Sequence, residues 1–424
     1  MTAQELKKEI NAGALKKYGE LYTDIEREKE RFIAAIDKFT EKYGDGRELY
    51  ILSVPGRSEI SGNHTDHNNG CVLAGAIDRD IIAIAAKNDD GVIRFLSEGY
   101  PEAVVELSAV DSPDEFENYT SPALIAGMVK GFKNSGYAVG GYDAYATSDV
   151  LKGSGISSSA AYEVMIGNVL NYLFCDGAVD NKEIAKLSQF AENVYFGKPC
   201  GLMDQMACAV GGFVYIDFCD NKNPNVVPID FSLSKEGYSL CIVNTGGNHA
   251  NLNEDYASVP AEMRAVAKAF GKETLRGLTE ADIISKIPEL REKTGDRAIL
   301  RAIHFIRENE RVVKIKNALL SGNLDGFFEG VLASGNSSFK FLQNVYTTKN
   351  PEEQGLSLAL AVSEGYLQDK GGAWRVHGGG FAGTIQAFVK NEYLDEYVSL
   401  LDSVFGCGSA MKLRIRGVGA TRLF

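Results

Sequence analysis

The sequence predicts a mixed α+β protein in two domains, and three observations carry that prediction. Its 424 residues exceed what a single hydrophobic core usually organises. Short β-type apolar runs are interleaved with longer stretches whose apolar residues recur at helical spacing. A polar, proline-containing connector at Asn221–Asn225 separates two such series and places a boundary near residues 220–235. No internal repeat or low-complexity linker interrupts them.

Residues 1–43 are charged and helix-prone, with Ile25, Phe32, Ile33, Ile36 and Phe39 on one face. They read as an amphipathic extension packed on the first domain. Strand-like runs follow at Leu49–Val54, Val72–Ile77 and Ile81–Ala86, then at Tyr142–Thr147, which leads into a glycine–serine loop. Helical spacing over 160–174 and 181–196 precedes a further strand-like run at Gly212–Phe218. Beyond the connector come a strand at Tyr238–Asn244, helices across 259–330, and glycine-rich strand segments to the end. The resulting division is 1–43, 44–228 and 229–424.

Composition removes several function classes. A hydrophobic share of 45% with 24% charged residues is ordinary for a globular protein. The net charge of −13 argues against nucleic acid or an anionic membrane as the main partner. No apolar run approaches about 18 residues, and Met1–Lys8 is polar and charged rather than signal-like. Seven cysteines without CxxC spacing fit unpaired thiols in a reducing compartment, so a cytoplasmic protein is expected.

The most informative stretch is Gly153-Ser154-Gly155-Ile156-Ser157-Ser158-Ser159-Ala160-Ala161. Its glycines let backbone approach an anion, and the helical pattern behind it makes the serines a helix start. Free N–H groups there favour phosphate, and the hydroxyls suit phosphate or Mg²⁺. A serine-capped structural turn is the plain alternative; a Walker loop is absent from the chain. A second cluster, Pro55 to Gly70, crowds Arg57, Glu59, Asn63, His64, Asp66 and His67 between two apolar runs. Such density suits a polyhydroxylated ligand, or a polar turn, or a metal, although no third His or Cys stands at a zinc spacing. In a third, Glu192 and Asp204 flank the turn Gly197–Gly201, and two acids so placed can divide Mg²⁺ binding from contact with a substrate hydroxyl. A fourth, His377 to Gly383, is glycine-rich and reads as close backbone approach or a tight strand connection.

Taken together, these clusters resemble the GHMP small-molecule kinases, and within them the galactokinases. Pro55-Gly56-Arg57, Gly62, His64-Thr65-Asp66, Asn68, Gly70 and Val72-Leu73 stand in register with the signature PGRVNLIGEHTDYNDGxVL. The serine loop is similar to GxGLSSSAALEV. Ala191-Glu192 and Pro199 to Gln205 resemble AEHxFxGxPCGIMDQ, and His377–Gly383 resembles GAGFGG. Arg301–Val312 resembles a galactokinase helix, and the similarity runs from about residue 49 to the C-terminus.

The resemblance implies an N-terminal α/β domain like the second domain of ribosomal protein S5, a ferredoxin-like C-terminal domain, and substrates meeting in the cleft between them. It implies ATP and Mg²⁺, a sugar phosphorylated at its anomeric hydroxyl, and a monomer or weak oligomer. Asp204 then matches the catalytic aspartate and Arg57 the arginine beside it. Ser159 and Glu192 match the Mg²⁺ ligands, and Gly153–Ala160 the phosphate-binding loop. Asn63, His64, Asp66, Gly201 and Tyr256 occupy the sugar-contact positions.

Some positions depart from the pattern. Asn63 stands where the family has glutamate, Ser58-Glu59 where it has Val-Asn, and His67 where it has tyrosine. The transfer machinery is complete while the sugar-reading strip is altered. Another hexose, an amino sugar or a cyclitol is therefore the main alternative acceptor. A non-catalytic galactose sensor is a further one, opposed by the intact serine loop.

Overall fold

The computed structural model describes residues 1–150, 155–247 and 252–424. The chain forms two compact units. One comprises Met1–Arg57, Ala76–Gly212 and Arg416–Phe424; the other comprises Ser58–Gly75 and Phe213–Ile415.

In the first unit, α1 (Ala3–Asn11) and α2 (Ile25–Tyr43) form the N-terminal extension. Thr2 and Glu5 close a capping box on α1, and Asp24 caps α2 by accepting from Arg27 N. Leu6, Ile10, Phe32, Ile36 and Phe39 share one buried cluster with Ile51, Ile82, Ile84, Tyr145 and Leu423. The extension thus completes the core of this unit. After it come β1 (Tyr50–Ser61), β2 (Cys71–Lys87), β3 (Val92–Ser97), β4 (Ala103–Glu106), α3 (Ser121–Asn134) and β5 (Tyr142–Ser148). Then α4 (Ser158–Phe174), α5 (Asn181–Phe190), a π-helical turn (Ala191–Phe196) and α6 (Met203–Val210) follow. The strands run in the order β1-β2-β5-β3-β4, with Thr421–Arg422 bridging the outer side of β1. β3 and β5 are parallel, whereas β2–β5 and β3–β4 are antiparallel.

Three readings of the sequence change here. The runs at Val72–Ile77 and Ile81–Ala86 are one strand, β2, in which the apparent break Asp78-Arg79-Asp80 is extended backbone. The segment Pro55–Ser61, read as connecting residues, continues β1. β3, β4 and α3 were not anticipated, because short strands beside polar turns carry little periodic signal.

The second unit takes the ends of β1 and β2 and adds β6 (Phe213–Asp217), β7 (Asn225–Ile229) and β8 (Tyr238–Asn244). Five helices follow: α7 (Asn253–Ala269), α8 (Glu280–Ser285), α9 (Ile287–Thr294), α10 (Asp296–Leu320) and α11 (Leu324–Ser337). The chain continues with α12 (Gly355–Leu367), β9 (Ala373–Val376), β10 (Thr384–Lys390), α13 (Asn391–Phe405) and β11 (Ala410–Leu413). The last third is therefore not only strands, since α12 and α13 lie within it. Strands β11-β8-β10-β9 form an antiparallel sheet. Numbered along the chain that order is fourth-first-third-second, the ferredoxin-like arrangement. Its Cys241, Val243, Ile385, Ala387 and Val389 pack with Leu356 and Ala359 of α12 and Tyr397 and Leu401 of α13.

Asp80 explains why β2 stays unbroken. Its carboxylate, 1% exposed, accepts from Arg31 Nη1 at 2.7 Å, Tyr22 OH at 2.7 Å and Arg416 Nη1 at 3.2 Å, and from Ser53. Burial raises its pKa, but the Arg31 and Arg416 charges and the hydroxyl donors outweigh burial and hold it below the ordinary value. The cluster joins the extension, two strands and the C-terminal segment of this unit. Asp80→Ala leaves two buried guanidinium groups without their shared partner and should cost about 3–5 kcal/mol. A urea-unfolding midpoint measures it; a loss under about 1 kcal/mol would mean the arginines are met elsewhere.

Candidate active site

In the first unit, β1 carries Arg57 toward the turn before α4. Gly56 permits the approach, since a Cβ there would lie 2.7 Å from the Ile156 carbonyl oxygen. Arg57 N donates to that oxygen at 3.1 Å. The Arg57 side chain, 7% exposed as a residue, grips Asp204 with two parallel bonds: Nε to Oδ1 at 2.7 Å and Nη2 to Oδ2 at 2.8 Å. Its Nη1 donates to Gly155 O at 2.6 Å. Asp204 sits in the first turn of α6, where the helix dipole favours a negative charge. Ser157 is the residue before α4 and has φ +61°, a left-handed conformation rare outside glycine. Its hydroxyl makes no cap and donates to Asp204 Oδ2 at 2.5 Å. Burial raises the Asp204 pKa, but Arg57 and Ser157 more than reverse this, so the group lies below its ordinary value and is ionised at neutral pH.

Next to Asp204, Gln205 bridges two buried acids. Its Nε2 donates to Glu163 Oε2 at 3.0 Å and Glu192 Oε2 at 2.9 Å, and Lys198 Nζ meets Glu192 Oε1 at 3.0 Å. Glu163 is 1% exposed; burial, then the Glu192 charge, raises its pKa well above the ordinary value. Its Oε1 has no hydrogen-bond partner. The Glu192 carboxylate and the exposed Ser159 hydroxyl are hard oxygen donors of the kind Mg²⁺ takes beside nucleotide phosphates. Among the described residues, no group of three or more His, Cys, Asp or Glu could hold a metal alone.

In the second unit, the strip after Arg57 is clamped by one helix. On α10, His304 Nε2 donates to Asn63 O at 2.9 Å, Glu308 Oε1 accepts from Ser61 Oγ and Gly62 N at 2.9 Å each, and Asn309 Oδ1 accepts from Cys71 N at 2.6 Å. Charges opposite it hold Glu308 ionised: burial raises its pKa, Arg311 and other cations lower it, and it ends at about 2. Three candidate sugar residues point their donors at successive carbonyls of the glycine segment. Asn63 Nδ2 reaches Gly378 O at 2.7 Å, His64 Nε2 reaches Gly379 O at 2.9 Å, and Tyr256 OH reaches Gly380 O at 2.9 Å. Glycine is required at 380, where φ is +78° and a Cβ would lie 2.0 Å from Asn344 O.

The expected residues therefore fall into two groups. Arg57, Gly155, Ser157 and Asp204 meet in the first unit, with Glu192 reaching Asp204's neighbour; Ile156 and Ala160 are buried, Ser158 is half-buried, and Gly201 is exposed. Asn63, His64 and Tyr256 gather at the glycine segment of the second unit, and Asp66 lies half-buried in the short turn that follows. Gly153 and Ser154 lie outside the described residues. Glu163, Lys198 and Gln205, and Asn344 with Glu59, were not singled out as functional. A signal for Glu163 existed, a lone acid on a helix that is otherwise apolar nearly all round.

Comparisons with known proteins follow the same residues. The GHMP kinases N-terminal domain family matches residues 123–212, and the galactokinase galactose-binding signature matches 37–87. A galactokinase of Streptomyces coelicolor is 31% identical over 392 residues, covering 91% of this chain and 97% of its own. The chain belongs to the galactokinase family. A galactokinase of Actinobacillus pleuropneumoniae is 33% identical over 371 residues, covering 85% of this chain and 90% of its own. Among solved structures, the Lactococcus lactis galactokinase complexed with galactose superposes with a TM-score of 0.74 at 26% identity, covering 91% of this chain and 98% of that one. The Methanococcus jannaschii mevalonate kinase, at 15% identity and a TM-score of 0.58, covering 87% of this chain and 98% of that one, shares the fold. Among the described residues of this galactokinase-family chain, no helix is long and apolar enough to cross a membrane.

The family's first motif is here held by a histidine that must stay neutral. Burial lowers the His304 pKa from 6.5 to about 4 while Nδ1 faces Ser337 Oγ at 2.9 Å. The unfolded chain binds a proton between those values and the folded chain does not, so the contribution is full above pH 6.5 and lost as pH falls toward 4. That limb is worth about 3 kcal/mol. His304→Gln should flatten stability between pH 6.5 and 4 by that amount in denaturant titrations; an unchanged slope would show that His304 titrates normally.

Proposed function

We propose that this chain transfers the γ-phosphoryl group of ATP to the anomeric hydroxyl of D-galactose, giving galactose 1-phosphate. The observation that carries the reading is the two-bond Arg57–Asp204 pair with Ser157 on the same carboxylate. In this reading Asp204 faces the sugar hydroxyl and receives its proton. A carboxylate held below its ordinary pKa is a weak base, so the proton moves late, after most of the bond to the leaving phosphate has broken. That order suits phosphoryl transfer, whose loose transition state asks little charge of the nucleophile. Arg57 keeps Asp204 ionised and oriented, and its guanidinium offsets charge on the transferred group.

Gly153–Ala160 bind the phosphates through amides at the start of α4. Ser159 and Glu192 would hold Mg²⁺, which supplies charge neutralisation of the phosphates when bound. His64, Asp66, Gly201 and Tyr256 contact the sugar. The same reading assigns residues 44–228 and 229–424 to the two kinase domains behind the 1–43 extension. It also takes the protein to be cytoplasmic, a monomer or weak oligomer, without a nucleic-acid or membrane partner. Another acceptor within the GHMP kinases is favoured by one observation, the side-chain changes at 59, 63 and 67 in the sugar-reading strip.

ADP release with Mg-ATP against galactose, glucose, N-acetylgalactosamine, mannose, arabinose and myo-inositol separates the readings. Galactose should dominate; strong turnover of another acceptor would replace it. Asp204→Ala should lower kcat by about 10²–10⁴-fold with ATP affinity nearly unchanged. Retained turnover would refute the role of Asp204.

A further inference from the structure

We infer that Glu59 and Asn63 are a mutually dependent pair in which Asn63 positions the first motif and is not itself a sugar contact, an inference that rests on the galactokinase reading. An asparagine side chain offers two donor hydrogens and two acceptor lone pairs. All four are engaged inside the second unit. Asn63 Nδ2 donates to Glu59 Oε1 at 2.9 Å and to Gly378 O at 2.7 Å. Its Oδ1 accepts from Asn344 Nδ2 at 2.7 Å and from Ser338 Oγ at 3.3 Å. The residue is 1% exposed. Turning the amide over would set its oxygen against a carboxylate and a carbonyl, so the partners fix its orientation. No hydrogen-bonding capacity is left for a ligand.

The dependence runs both ways. Glu59 lies on β1, 5% exposed, and its Oε1 also accepts from Arg375 Nη2 at 3.3 Å. Arg375 is fully buried and ties to the same strand through Ile60 O at 2.9 Å. A carboxylate at 63 would face Glu59 and the Gly378 carbonyl, two acceptors and no proton between them. An amide at 59 would leave Arg375 without its charged partner. Compared with the pattern PGRVNLIGEHTDY, in which asparagine comes first and glutamate four residues later, this chain has the same two chemical groups in the reverse order. The carboxylate has not been lost; it stands at 59. By holding Gly378 O and Asn344, Asn63 fixes the glycine segment whose next two carbonyls receive His64 and Tyr256.

The test is a cycle of four full-length proteins: wild type, Glu59→Asn, Asn63→Glu and the double variant. Melting temperature is read first, then KM for galactose and for ATP. Each single variant should melt several degrees lower and raise KM for galactose at least tenfold, with KM for ATP within twofold. The double variant should lose less than the two singles together in both quantities. If Asn63→Glu does not fold, a folded double variant is the same rescue. Losses that simply add, or an Asn63→Glu protein with wild-type melting and KM, would overturn the pair. Coupled melting with unmoved galactose KM would overturn the positioning role. Melting needs no turnover, so a wild type inactive on galactose would defeat the kinase reading while the melting cycle still decides the pairing.

Discussion

Burying a guanidinium is costly unless every donor it brings finds an acceptor. Arg57 sets Nε and Nη2 on an aspartate and Nη1 on a backbone carbonyl, and the residues around it are arranged to allow this. The strand that delivers Arg57 can close on residue 156 only because residue 56 lacks a Cβ. The left-handed turn at Ser157 directs its hydroxyl at Asp204 and leaves the first amides of α4 without a side-chain cap. A cap at that position would satisfy those amides; the strained serine commits its hydroxyl to Asp204 instead.

A second rule recurs in the two polar clusters. Where acceptors would confront one another, a neutral amide is set between them. Gln205 separates Glu163 from Glu192, and Asn63 separates Glu59 from the Gly378 carbonyl. Each amide converts a repulsive contact into two hydrogen bonds, and each thereby becomes specific, because replacing it by an acid or an apolar residue restores the conflict. In the first cluster Lys198 completes the accommodation by meeting Glu192. In the second, Arg375 does so.

Much of this was legible in the residues. The helix behind the serine loop, the strand at Tyr238–Asn244 and the mixed α and β organisation follow from periodicity, and the family follows from motifs whose order is specific. What could not be read depends on partners distant in sequence. Asp80 looks like a strand break until Arg31, 49 residues earlier, and Arg416, 336 residues later, neutralise it. Pro55–Ser61 looks like a loop because polar residues in a strand are unexpected, yet Ser58, Glu59 and Ser61 are each bonded to a side chain more than 240 residues away. Asn63 looks like an altered sugar contact, and only its four internal partners give it another role. Composition and spacing report which groups are present; they do not report which are already engaged.

The N-terminal extension shows the same limit and what lies beyond it. Read as sequence it is an amphipathic helix without a motif. In the fold, Arg27 clasps both oxygens of Asp149 at 2.8 and 2.7 Å, and Arg31 bridges Asp80, Glu28 and Asp149. Asp149 follows the last residue of β5, and its amide donates to Asp80 O at 2.9 Å. The extension is thus anchored at the point where the sheet gives way to the glycine–serine segment, and Arg57 holds the far side of that segment at Gly155. Arginines of independent origin are thus bonded at Asp149 and at Gly155. Residues 1–43 therefore contribute more than core area. Their Arg27 and Arg31 hold Asp149 just past the end of β5, and Arg31 also balances the charge of the buried Asp80.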